Sequence, residues 1–278
     1  MVTTWKKKAK KGKLPSKRAA AATTANKARY VSSKMGKTRA LEAKASLRGY
    51  VPATKWLNAA VLQEMLSEHR MVYVKPNAGM CGDGVIRVEK ALPENGASLR
   101  YTFQSGVRKK SFATFEGMYT ALRKVIGKRR YLVQKGIQLL KYKGNRFDLR
   151  VMVQMTPAAK WETTGVIGRV AHPSKIVTNY HDGGKLKSVD TLLRRYMTAN
   201  DRKLYVKRLE QLGRKAAKAV EARYKGVKEI GVDIAVDYEM KPWILEVNTS
   251  PDPYIFRKLK DKRVYAKIKR YAKAYGRL

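Results

Sequence analysis

The segment EIGVDIAVDYEMKPWILEVNTSP, residues 229–251, constrains this chain more than any other stretch. It reads as a hairpin of two strands, Glu229 to Val236 and Trp243 to Val247, because apolar residues recur at every second position. On the first strand Val232, Ile234 and Val236 point one way, and Asp233 and Ala235 the other. The same alternation puts Ile244, Glu246 and Asn248 on one face of the return strand, opposite Leu245 and Val247. Acidic side chains within apolar strands are costly unless they are paired or bound to metal. Two acids and an amide on neighbouring strands therefore ask for a cation, and oxygen ligands of this kind suit Mg²⁺. The alternative is a solvated sheet face carrying unrelated carboxylates.

Three other segments carry candidate chemistry. In MVYVKPNAGMCGDGVIRV, residues 71–88, a strand ends at Lys75 and a loop with Gly79, Gly82 and Gly84 leads to a second strand. Such glycines let a backbone approach a phosphate and offer it N–H groups, and a lysine at a strand end reaches phosphate as a point charge. The GxxxxGK[ST] pattern is absent and the loop joins two strands, so this is not a Walker loop; taken alone it is also what a plain glycine-rich hairpin turn looks like. Next, RYLVQKGIQLLKYKGNRFDLRVMVQ places Gln134, Lys135 and Ile137 after one strand, and Arg146, Asp148 and Arg150 around the start of another. Arginine forks suit carboxylate or phosphate, although Arg146 with Asp148 also reads as a structural pair. Finally, TGVIGRVAHPSKIVTNYHDGGK puts Arg169 in a strand, with Asn179, His181, Gly183 and Gly184 in the polar loop beyond it. A strand arginine there is a natural electrostatic stabiliser. His172 and His181 have no third ligand at matching spacing and read as surface-loop residues.

Between the ends of the chain, helical and strand patterns alternate without regular βαβ order. Helices are expected over Asn58 to Glu68, Phe115 to Ile126 and Asp201 to Arg223, the last capped by Asp201, with strands between them. This reads as α+β with antiparallel sheets. The first 32 residues hold the run Lys6, Lys7, Lys8, Lys10, Lys11, Lys13 and few core formers, so a flexible basic arm is expected. From Asp261 onward Val264, Ile268, Tyr271 and Tyr275 recur at helical spacing on a basic helix. A chain of 278 residues with 44% hydrophobic content has enough for a sizeable core. No apolar run reaches the roughly 20 residues that span a bilayer, and no apolar stretch follows the basic N-terminus, so the chain reads as intracellular, in the cytoplasm. Cys81 is the only cysteine, which excludes an internal disulfide. Lys and Arg total 62 against 21 Asp and Glu, a net charge of +41, and such a chain should associate with polyanions.

These segments occur together and in order, and in that combination the chain resembles the ATP-grasp superfamily and, more narrowly, its YheC/YheD endospore coat-associated branch. The resemblance runs from about Ser33 to Phe256, through KMGKTRAL, YVPATKWL, the glycine-loop segment, YLVQKGI, RFDLRVMVQ, TGVIGRVAHP, IVTNYHDGG and GVDIAV…WILEVNTSPD. The last phrase is also similar to that of D-alanine:D-alanine ligase, in which an aspartate stands thirteen residues before the glutamate, as Asp233 stands before Glu246. The resemblance implies an ATP-grasp fold: two α+β subdomains, residues 33–135 and 136–278, gripping ATP between antiparallel sheets, with a reduced N-terminal domain represented by the basic arm of residues 1–32. It implies that Asp233, Glu246 and Asn248 hold one or two Mg²⁺ ions, with Mn²⁺ as a substitute. Lys75 would contact the α/β-phosphates under the loop of Gly79, Gly82 and Gly84. Gln134, Lys135 and Ile137 would pack on adenine, and Arg150 and Arg169 would bind γ-phosphate or a substrate carboxylate.

The activity so implied is carboxylate–amine ligation through an acyl phosphate, and no Ser/His/Asp or Cys/His set competes with it. The positive charge adds the expectation of an acidic protein or polymer as substrate. Two other readings stay open: an ATP-binding structural protein of the spore coat that docks on acidic partners, and a non-specific nucleic-acid binder. Association with the spore coat comes from the resemblance alone.

Overall fold

The computed structural model describes residues 29–79, 82–91, 99–178 and 183–278. Most of the expected basic arm, together with Cys81, Asn179 and His181, lies outside the described residues. In chain order the elements are α1 (Lys34–Glu42), α2 (Ala45–Arg48), β1 (Thr54–Trp56), α3 (Ala59–His69), β2 (Met71–Pro76), β3 (Ile86–Ala91), β4 (Arg100–Ser105), β5 (Arg108–Phe112), α4 (Phe115–Ile126) and β6 (Tyr131–Lys135). There follow β7 (Lys141–Tyr142), β8 (Asn145–Met155), β9 (Trp161–Val170), β10 (Lys185–Lys187), α5 (Val189–Leu193), α6 (Ala199–Arg223), β11 (Glu229–Val236), β12 (Pro242–Asn248), a 3₁₀ turn (Tyr254–Lys258) and α7 (Lys262–Ala274).

The strands form two antiparallel sheets. The first has the order β1-β6-β2-β3-β4-β5, and the second β10-β9-β8-β11-β12 with β7 beside β8. Alternation along β2 and β6 sends Val72, Val74 and Val133 into a core under α3 and α4, where Leu62, Leu66, Met118 and Leu122 meet them. The other face of this sheet presents Tyr73, Lys75 and Gln134 to a cleft. In the second sheet Leu149, Val151, Val153, Val232 and Ile234 pack against Leu209, Leu212, Ala216 and Val220 of α6. Gly213 makes this close approach feasible, since a Cβ there would lie 2.8 Å from Val151 Cγ1. Opposite, Met152 and Ile167 are covered by Phe256 and by Ile268 of α7. The same face nearer the first sheet carries Asp148 and Arg150 and forms the second wall of the cleft.

Three expectations are corrected. Helix α6 is capped by Thr198, not Asp201: the Thr198 hydroxyl accepts from the Asp201 amide at 3.2 Å, and Asp201 sits inside the first turn, where a carboxylate suits the helix dipole. Residues 29–32 are not all arm, because Val31 is buried in the core beneath α6 and its N–H donates to Thr249 Oγ1 at 2.8 Å. Residues 34–51, grouped by sequence with the first sheet, send Leu41, Leu47 and Val51 into that same second core.

Candidate functional site

The decisive geometry is a row of side chains across the second sheet. Strand register pairs Arg169 with Asp148, Arg150 with Asp233, and Asp233 with Glu246, so four strands bring basic and acidic groups side by side on one face. Return strand β12 does not keep the simple alternation expected of it. The register shifts between Asp233 and Ile234, from partner Glu246 to partner Ile244, which leaves Leu245 as an extra residue. Ile244 therefore joins Val247 in the core, while Leu245 turns to the other face with Trp243 and Ala235. Glu246 and Asn248 do share a face with Asp233, and the bulge is what removes Ile244 from it.

Asp233 is buried and densely bonded. Its Oδ1 accepts from Arg150 Nε at 2.5 Å. Its Oδ2 accepts from Arg150 Nη2 at 3.1 Å and Asn248 Nδ2 at 3.3 Å, and lies 3.0 Å from Arg169 Nη2. Arg169 also grips Asp148 through two bonds of 2.8 and 2.5 Å, and Thr178 donates to Asp148 at 2.6 Å. Burial pushes the Asp233 carboxyl up, but Arg150 and Arg169 outweigh it and hold it at about 2. For Arg169, burial pulls the guanidinium down and the two aspartates more than reverse that. Arg146 is not the partner of Asp148, because antiparallel register places Arg169 directly opposite that aspartate.

The first sheet supplies Lys75, whose Nζ donates to Gln134 Oε1 at 2.7 Å; Gln134 in turn donates to Thr54 at 3.0 Å. Desolvation in the cleft lowers the Lys75 ammonium to about 8, against the upward pull of Glu246. Lys135 stacks its ammonium 5.4 Å from the Trp243 ring, and Ile137 with Leu139 and Leu245 makes an apolar shelf beside it. Gly79 and Gly82 sit at φ of +144° and +74°, which few residues other than glycine adopt. Gly84, at +69°, stands outside the cleft, where a Cβ would meet the Tyr131 hydroxyl and the Arg129 side chain.

One cleft of about 230 Å³ is thus lined by Lys75, Gly79, Gly82, Gln134, Lys135, Ile137, Arg150, Arg169, Asp233, Glu246 and Asn248. Of the site residues expected from sequence, Gly84 alone lines an adjoining groove instead. His172 is exposed and bonds Ser174 at 2.9 Å, in keeping with a surface-loop role. Two lysines given no role from sequence stand at the site, Lys34 in the cleft and Lys37 in a small pocket beside it. Lys34 Nζ lies 2.8 Å from Glu246 Oε1 and donates to the Gly79 carbonyl at 3.0 Å. Lys37 is buried, donates to the Val31 carbonyl at 3.0 Å, and is lowered to about 8 by burial against the pull of Glu246. Their phrase KMGKTRAL carries the signal, a pair of lysines three residues apart and so on one helix face.

Among the described residues no cluster of three or more His, Cys, Asp or Glu has metal-binding geometry. Glu246 and Asn248 present oxygen donors to the cleft, which fits a hard cation such as Mg²⁺. Asp233 fits as a third donor through Oδ1, which accepts one bond, from Arg150 Nε, whereas its Oδ2 already faces three donors. Among the described residues no helix is long and apolar enough to cross a membrane.

Comparison with known proteins bears on the family and the fold. The family model described as YheC/D like ATP-grasp matches residues 23–278. The endospore coat-associated protein YheD of Bacillus subtilis (strain 168) is 24% identical over 202 residues, covering 70% of this chain and 43% of YheD. The endospore coat-associated protein YheC of the same organism is 23% identical over 206 residues, covering 73% of this chain and 55% of YheC. The chain thus spans about half the length of the curated relatives it matches. Among solved structures, D-cycloserine synthetase DcsG aligns with a TM-score of 0.51 at 14% identity, covering 87% of this chain and 68% of that one. That likeness concerns the fold: two antiparallel sheets gripping a cleft, the α+β ATP-grasp architecture.

Proposed function

This chain belongs to the YheC/D like ATP-grasp family, and on that footing we propose that it is an ATP-dependent carboxylate–amine ligase. The observation that carries the reading is the convergence of Lys75 and Gln134 from one sheet with Arg150, Arg169, Asp233, Glu246 and Asn248 from the other on a single cleft. In the proposed reaction an oxygen of a substrate carboxylate attacks the γ-phosphorus and ADP departs. An amine then attacks the acyl carbon, phosphate departs, and the amine gives up a proton as the amide forms. Lys75 and the glycine-loop amides hold the phosphate chain, while Ile137, Leu139 and Leu245 provide an apolar seat for adenine. Arg150 and Arg169, held in fixed orientation by Asp233 and Asp148, present positive charge to the transferring phosphoryl group or the substrate carboxylate. Glu246 and Asn248, with Asp233, are the residues that would hold Mg²⁺, which when bound neutralises phosphate charge.

The substrate side is read from charge. The cleft continues through Gly82, Val85 and Val177 into a groove of about 610 Å³ lined by Arg108, Lys110 and Lys175. With the net charge of +41, this supports an acidic protein or polymer as the carboxylate donor. The names of YheD and YheC tie those proteins to the endospore coat, and we extend that association, from a cytoplasmic origin, to this chain. Nucleic acid is the competing polyanion, bound through charge alone.

A second reading has one observation in its favour. Asp233 is held by two arginines, so a metal must compete with guanidinium for its carboxylate, a competition that a scaffold without turnover would tolerate. Purified protein with Mg-ATP should be screened for ADP release over amino acids and acidic peptides, with mass spectrometry of the product. A mass gain equal to one condensation, lost in Glu246→Gln, supports the ligase. ATP binding without ADP release from any acceptor supports the scaffold instead.

A further inference from the structure

Helix α1 ties the two walls of the cleft together. Its apolar side, through Leu41, is anchored in the core of the second sheet. Its N-terminus docks on Asn77, the residue that follows β2 and opens the glycine loop. The Lys34 amide donates to the Asn77 carbonyl at 2.8 Å, and the Met35 amide donates to Asn77 Oδ1 at 3.0 Å. From this end Lys34 reaches into the cleft and joins Glu246 to the Gly79 carbonyl of the loop. Both charged side chains are largely covered, at 10% and 25% exposure.

The two cleft acids that would share a metal are neutralised differently. Asp233 is held by Arg150 and Arg169 from its own sheet, whereas Glu246 is paired with Lys34 from outside the sheet altogether. A covered carboxylate demands a cation at all times. A divalent ion arriving on Glu246 repels an ammonium 2.8 Å from the same oxygen. Resting on the reading of the cleft as a metal–nucleotide site, we propose that Lys34 is a positioning residue that holds the metal's place on Glu246 in the metal-free protein. Arrival of the metal with nucleotide displaces it. Because the same Nζ holds the Gly79 carbonyl, that displacement also frees Gly79, while the backbone bonds to Asn77 keep the start of the loop docked on α1. Metal arrival is thereby coupled to loop position by one side chain.

The coupling makes an outcome that a plain phosphate-binding lysine does not. If Lys34 competes with the metal, removing it lowers the Mg²⁺ concentration needed for nucleotide binding; if it serves only to attract phosphate, removing it raises that concentration. The experiment is a Mg²⁺ titration of ATP binding by calorimetry at saturating ATP, on the full chain. Lys34→Ala should shift the half-maximal Mg²⁺ concentration down by about tenfold, the scale of one lost charge-assisted hydrogen bond. Lys34→Arg, which keeps a cation, should stay near the wild type. Lys44→Ala, at an exposed position with the same loss of charge, should not move the midpoint, and melting curves report folding of each variant. A Lys34→Ala midpoint that is unmoved or raised overturns the inference and leaves the nucleotide site standing. A wild-type chain that binds no ATP at any Mg²⁺ concentration overturns both.

Discussion

Replacing Asp233 by Asn tests the charge row that organises the cleft. The side chain keeps its shape and loses its charge, and Arg150 then has its fork buried against a neutral amide. Removing one partner of a buried ion pair costs about 3–5 kcal/mol. Arg169 retains Asp148, and an amide oxygen still accepts one bond, so the lower end, about 3 kcal/mol, applies. A second route gives a similar scale: a carboxyl held at about 2 rather than at 3.8 favours its charged form in the folded state by about 2 kcal/mol. For a chain of this size, about 3 kcal/mol lowers Tm by about 6–12 °C. The pH dependence has a definite sign. The folded carboxyl titrates below the unfolded one, so its contribution is present above 3.8 and is lost as pH falls towards 2. Thermal melts of wild type and Asp233→Asn at neutral pH, and chemical denaturation between pH 5 and pH 2, measure both effects. The gap between the two proteins should narrow as pH falls through that window. A variant that melts within about 2 °C of wild type at neutral pH, or a gap that does not close in acid, would refute the reasoning.

Further expectations concern the rest of the cleft and its supports. Lys75→Met should weaken ATP binding at least about tenfold in calorimetry, since it removes a charged contact to phosphate. Because the Lys75 ammonium is lowered to about 8, wild-type ATP affinity should be greatest below pH 8 and fall above it, and the Met variant should lack that fall. Gly213→Val should destabilise the fold by about 1–3 kcal/mol in urea titrations, since its Cβ would press on Val151 and Val153. Val31→Asp should lower Tm by several degrees, because Val31 packs in the second core, whereas a truly detached arm would tolerate it without change.

Much of this architecture was written in local patterns. The hairpin of β11 and β12, helices α3 and α4, and the glycine loop after Lys75 each declare themselves through a period of two or 3.6 or through glycines that need positive φ. The bulge at Leu245 was not legible, because an inserted residue changes which face is core only once the partner strand's register is known. The same holds for Asp148: its near neighbour Arg146 looks like a partner, but the true one, Arg169, stands opposite it across a strand pair. The cap of α6 was not legible either, because Thr198 and Asp201 are both good capping residues and sequence does not say where the helix starts. Lys34 and Lys37 were hidden for another reason. Helix α1 is short and polar, so the three-residue spacing of its lysines marks a shared face without saying whether that face turns to a cleft or to water.

The central claim, that the cleft between the two sheets is a metal–nucleotide site, is tested most directly by calorimetric titration of the wild-type chain with ATP, with and without Mg²⁺, beside Glu246→Gln. The account gives one ATP per chain, binding that depends on Mg²⁺, and at least about a tenfold loss in the variant. Binding that ignores Mg²⁺ and is unchanged in Glu246→Gln, or no binding at all, would contradict it.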